Sequence, residues 1–247
     1  MPVGDSMTIG SSGDFTWRYR LWQHLRATYD GPFRLVGPRD ALHDAATGAA
    51  TSQRYGDPAF PADARRHLAG WGEGWLHMAP LIGDAVRAHR PDTLLVSLGL
   101  IDLGFYTDPE QTAANVRAFL TAARRADPHL RAVLLPVLDN SRAVDDPEFA
   151  AGCARFNALL AETAAALTTP ASPFVLAPAP AWDLARHTYD GTHPSPAGEH
   201  ALAAAFAGTL YTAWGVGGPY TRAATAPEQA ISADPAAPAP VPEYAAG

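Results

Sequence analysis

Apolar residues along this chain fall into two alternating kinds of run. In long stretches they recur at helical spacing: Trp17, Leu21, Trp22 and Leu25 mark an amphipathic helix over Phe15–Tyr29. Similar patterns predict helices over Leu76–His89, Pro109–Arg125, Pro147–Leu167 and Pro196–Trp214. In short stretches they are continuous, which suits strands buried on both faces: around Val3, and over Phe33–Val36, Thr93–Leu98, Ala132–Val137 and Phe174–Leu176. Strand alternating with helix predicts an α/β fold, a three-layer α/β/α arrangement of five parallel strands in flavodoxin-like order. Residues 38–73, rich in Gly, Pro, Asp and Ala, are too long for a plain connection and read as a functional excursion. From Gly215 the composition turns to Pro, Ala, Gly and Thr. One domain is therefore expected over 1–214, with 215–247 a Pro/Ala-rich tail, disordered or draped.

Composition narrows the possible partners. The formal net charge is −7 and all 18 basic residues are Arg, which argues against nucleic acid or an anionic membrane surface. No apolar run reaches the roughly 20 residues that span a bilayer. No leader pattern precedes Gly4, so a cytoplasmic protein is expected, or a secreted one if further sequence lies upstream of Met1. The single cysteine, Cys153, leaves no intrachain disulfide and no Cys-based zinc site, and its Ala-rich surroundings predict a buried thiol. His43, His67, His77, His187 and His200 lack convincing ligand spacing and read as surface or packing residues; neither metal nor cofactor is expected.

Candidate chemistry comes from where two short motifs fall on such a sheet. Ligands of open parallel sheets sit outside the carboxyl ends of the strands. Gly4-Asp5-Ser6 falls at the end of the first strand, so Ser6 opens into that crevice. A hydroxyl needs a base before it attacks anything. Asp190 and His193, three residues apart between the last strand and the last helix, lie on the same edge. That spacing lets the carboxylate hold the imidazole Nδ1–H and leaves Nε2 for Ser6.

Together these blocks resemble the SGNH (GDSL-type) hydrolase family, esterases and acyltransferases on a flavodoxin-like sheet, over roughly residues 1–214. The resemblance implies Ser6 as nucleophile, His193 as base and Asp190 as its orienting acid. It also implies an oxyanion hole built from the backbone N–H groups of Ser6 and a glycine of the Gly70-Trp71-Gly72-Glu73-Gly74 segment, Gly72 by preference with Gly70 and Gly74 as alternatives in register. The family's third block is Gly-x-Asn-Asp, whose Asn donates to the oxyanion; here it reads Gly99-Leu100-Ile101-Asp102. Ile101 has no donor, and losing one such donor typically costs about 10²–10³ in kcat.

Four further residues are candidates for lining the site: Asp5, Trp71, Ile101 and Asp102, the last readable equally as a turn or N-cap aspartate. Phe105, Tyr106 and the Asp139-Asn140-Ser141 segment also fall on the carboxyl edge. The expected activity is serine-dependent hydrolysis of a small-molecule carboxylic ester. The alternatives are acyl transfer on the same triad, or a scaffold moved to non-hydrolytic chemistry, as Ile101 would suit.

Overall fold

The computed structural model describes residues 1–222. Five parallel strands, β1 (Pro2–Gly4), β4 (Leu68–Ala69), β5 (Thr93–Ser97), β6 (Arg131–Leu135) and β7 (Phe174–Leu176), form one sheet in the order β4-β1-β5-β6-β7. Val3 pairs with Leu68 on one side and Val96 on the other, and Gly4 pairs with Ser97. Every residue of β1 and β5 is buried, which is why these strands read as continuous apolar runs.

Helices cover both faces. After β1 come the single turn α1 (Ser6–Ile9) and the helix α2 (Thr16–Thr28), which packs against the last helix, α9 (Pro196–Trp214), with Trp17 stacked on Phe206 at 4.5 Å. Glu199 of α9 pins the start of α2, accepting from the Thr16 N–H and pairing with the buried Arg20. The other layer holds α3 (Trp75–Met78), α4 (Ile82–His89), α5 (Pro109–Ala126) and α7 (Pro147–Leu167), packed in series. Short turns α6 (Ser141–Asp145) and α8 (Leu184–His187) complete the set. Cys153 is buried in α7, its thiol pushed up to about 11 by burial.

Two expectations need correction. Phe33–Val36 is not a strand, and the sheet edge is taken instead by Leu68–Ala69 from within the excursion. Once those two residues occupy the free edge of β1, Leu35 serves as an apolar cover rather than a pairing partner. The helix expected over Leu76–His89 is broken into α3 and α4, because Pro80 has no N–H for the ladder. The excursion also contains an antiparallel hairpin, β2 (Leu42–Asp44) and β3 (Ala49–Ser52), bridged to Ser11 just beyond α1. Of the tail, residues 215–222 return to the body, where Gly218 O meets His24 Nε2 and the Tyr220 hydroxyl meets His200 Nδ1; residues 223–247 lie outside the described part. Among the described residues no helix is long and apolar enough to cross a membrane.

Candidate active site

The chain turns sharply at Gly4. A Cβ there would overlap the Thr8 side chain and crowd Ser97 O, so only glycine lets α1 start directly above the sheet. Asp5 caps that turn, its Oδ1 accepting from Met7 N at 3.0 Å, and Ser6 becomes the first helical residue. The Asp5 carboxyl is 2% exposed, and burial pushes it up to about 7 against the opposing pull of the Met7 N–H and His193. Asp5 thus lies beneath the site rather than in its opening.

At the other end of the chain, Asp190 organises its own loop. Its Oδ1 accepts from the N–H groups of Thr192 (3.0 Å) and His193 (2.7 Å), and its Oδ2 accepts from His193 Nδ1 at 2.6 Å. The tautomer follows from those partners: with Nδ1 donating, Nε2 carries the lone pair, and it lies 3.0 Å from Ser6 Oγ. Burial alone would raise the Asp190 carboxyl, but hydrogen bonds from the His193 ring and backbone, together with its charge, hold it below the usual range. Ser6, His193 and Asp190, from opposite ends of the chain, form one hydrogen-bonded line.

Of the three glycines, two have their N–H groups engaged. Gly70 N donates to Gly4 O and Gly74 N to His77 Nδ1. Gly72, at φ +73°, donates to no acceptor among the described residues, and neither does the Ser6 N–H. Asp102 is fully buried behind this loop, its carboxylate accepting from Trp75 N (2.8 Å) and Leu76 N (3.0 Å), and its carboxyl is raised by burial. A Cβ on Gly74 would overlap that carboxylate. Asp102 therefore anchors the glycine loop and does not present itself to a ligand. Arg39 and Glu73 add an ion pair across the same loop. Ile101 follows β5 and leads into a π-helical turn over Asp102–Tyr106. Phe105 and Tyr106 on that turn are exposed, and Asn140 caps α6.

Trp71 lies against the triad itself, its indole stacked on the His193 ring at 4.6 Å. On its far face lies His43, at 4.2 Å, carried there by the hairpin. The Tyr189 ring lies nearly parallel to His193, with its centroid 5.8 Å away. Nothing in the sequence pattern pointed to His43, because the excursion has no periodicity from which its course could be read; its only signal is the Leu42-His43-Asp44 alternation of a short strand. Four further histidines serve in packing: His67 and His77 hold the excursion and the glycine loop, His187 caps α8 and His200 meets Tyr220. Among the described residues no three His, Cys, Asp or Glu side chains converge as a ligand set.

A hollow of about 10 Å³, room for one water, is lined by Asp5, Met7, Ser97, Leu100 and residues 136–138 and by none of Ser6, Asp190 and His193. A larger cleft of about 410 Å³ lies between the C-terminal half of α2 and residues 29–35, and contains none of these groups.

Solved proteins share this fold. A solved acetyl esterase, a serine-to-alanine mutant with acetate ion, is 20% identical with a TM-score of 0.68, covering 86% of this chain and 96% of its own. A family 3 carbohydrate esterase from Talaromyces cellulolyticus gives the same values. One from Clostridium thermocellum is 18% identical with a TM-score of 0.64, over 88% of this chain and 98% of its own. At these identities the likeness is one of fold. Comparison with curated protein sequences finds no match. Residues 3–201, however, match the description of a single family. The chain belongs to the GDSL-like lipase/acylhydrolase family, the SGNH hydrolases, and is a hydrolase.

Proposed function

We propose that the protein hydrolyses carboxylic esters through an acyl-enzyme on Ser6. His193 Nε2 takes the Ser6 proton as Oγ attacks the acyl carbon, then delivers it to the departing alcohol; a water activated the same way releases the acid. Asp190 keeps the imidazole in the required tautomer and stabilises its cation. The free N–H groups of Ser6 and Gly72 receive the oxyanion. The observation that carries this reading is the unbroken line Ser6 Oγ–His193–Asp190 at 3.0 and 2.6 Å.

The acyl group we read as short, such as acetyl. The acetyl esterase among the structural relatives supports that choice. A fluorophosphonate probe and a series of p-nitrophenyl esters test both points. Labelling and turnover are expected to disappear in Ser6→Ala, and acetyl to outpace octanoyl. Full activity in Ser6→Ala would overturn the mechanism, and a preference for octanoyl the acyl assignment.

A further inference from the structure

Three separate loops deliver four rings to one stack. His43 comes from the hairpin, Trp71 from the glycine loop, and His193 and Tyr189 from the segment after β7. Successive rings are 4.2, 4.6 and 5.8 Å apart and tilt by only about 20° at each step. The pile is tied to the nucleophile's own segment. His43 N donates to Gly10 O, Ser12 N donates to His43 O, and the Ser11 and Tyr189 hydroxyls lie 3.3 Å apart. Trp71 is 39% exposed, yet its indole has a partner on each face.

We infer that Trp71 is a positioning residue for His193, holding the imidazole in line with Ser6 and favouring its cationic form, with His43 as the ring that holds the indole in place. The inference rests on the catalytic reading of Ser6, His193 and Asp190. During acyl transfer the His193 edge is fully engaged, Nδ1 by Asp190 and Nε2 by the travelling proton. Only its faces remain, and an indole face carries the negative quadrupole that attracts a cation. That attraction grows as the imidazole gains charge, so it acts on the transition state more than on the resting enzyme.

The charged surroundings agree. Asp190 lies at the ring edge, and Asp5 and Asp14 act on His193 from below and beside it, burial pushing the latter carboxyl up to about 6. The ionisable ring beyond the indole, His43, has burial working against its charge, with Asp44 opposing and His193 adding to that effect. A neutral His43 leaves the indole's attraction to His193 without a competitor on the opposite face.

A plain wall of the substrate pocket would behave differently from a positioning residue, and the full-length chain can separate the two. Trp71→Leu keeps apolar bulk but removes the quadrupole. With p-nitrophenyl acetate its kcat is expected to fall roughly 3- to 10-fold with KM within about twofold. The acid limb of its kcat/KM profile is expected to move to lower pH by about half a unit. Trp71→Phe should recover most of the loss. His43→Leu should give a smaller fall of the same kind, and His43→Phe should rescue it. A rise in KM with kcat and acid limb unmoved, or no change at all, would overturn the inference. Should Trp71→Leu fail to melt cooperatively, the His43 pair decides by the same criteria. Ser6→Ala and His193→Ala run alongside: activity persisting in them rejects the triad, whereas their inactivity beside an unaffected Trp71→Leu rejects only the stack.

Discussion

The two sides of the active site are built on opposite principles. On the triad side every side-chain polar atom of Ser6, His193 and Asp190 is engaged: Asp190 accepts three hydrogen bonds, and its loop is closed by Tyr189 N on His193 O and held to α6 by Ser141 N on Gly191 O. On the proposed oxyanion side the N–H groups of Ser6 and Gly72 are unengaged among the described residues, and the third motif holds Ile101, which donates nothing from its side chain. The rigidity there lies one layer back, where Asp102 grips the N–H groups of Trp75 and Leu76. Groups that pass a proton must be held by one another, whereas groups that receive a substrate's charge must stay empty and be held from behind.

The largest break in that contrast is on the engaged side. Asp190→Asn keeps the size of the side chain but turns one acceptor into a donor, so the Nδ1 proton loses its partner and the wrong tautomer is favoured. A fall in kcat of about 10⁴-fold is expected, with KM for p-nitrophenyl acetate nearly unchanged. A loss below tenfold would mean that the carboxylate does not orient His193.

On the open side the test is a gain. Ile101→Asn supplies a side-chain donor where the family's third block has one. If the Ser6 and Gly72 N–H groups already receive the oxyanion, a third donor should raise kcat by about tenfold or more, towards the 10²-fold that one donor can contribute. An unchanged kcat would show that position 101 does not reach the oxyanion.

This contrast also separates what the sequence revealed from what it concealed. Gly4-Asp5-Ser6 and Asp190–His193 were legible because each motif shapes its own few residues: Asp5 caps the turn that carries Ser6, and Asp190 folds the loop that carries His193. Four of the five strands, β1, β5, β6 and β7, were legible because strands within a covered parallel sheet leave continuous apolar runs. Gly72 was the sequence's preference among three glycines in register; where the Gly70 and Gly74 N–H groups go is tertiary information that no local pattern carries. The edge strand Leu68–Ala69 is two residues long and has no pattern of its own; it exists because β1 offers it an unpaired edge. His43 was hidden for the same reason, since its place depends on the hairpin's bridge to Ser11.

Behind the oxyanion side, Asp102→Ala removes the acceptor of two buried N–H groups. Leaving such groups unsatisfied costs about 1–3 kcal/mol. For a domain of this size that is a fall in Tm of roughly 3–10 °C. Because Gly72 belongs to the loop those bonds hold, kcat should drop as well. A lower Tm with undiminished kcat would detach the loop's stability from its function.

Asp5 gives the smallest effect, and it is one of sign. Its carboxyl, raised by burial to about 7, binds its proton more tightly in the folded chain than in the unfolded one. The stability this confers is full below the unfolded value near 4 and is lost as pH rises through about 7. Asp14 and Glu199, raised to about 6 and about 7, act in the same direction. Asp5→Asn keeps an acceptor for the Met7 N–H and removes the charge, although its amide adds a buried donor that offsets part of the gain. The variant should therefore melt close to wild type at pH 4 to 5 and above it at pH 8, by about 1 kcal/mol, read as the difference between two Tm-versus-pH curves. A difference that stays flat across that range would mean that Asp5 does not titrate there.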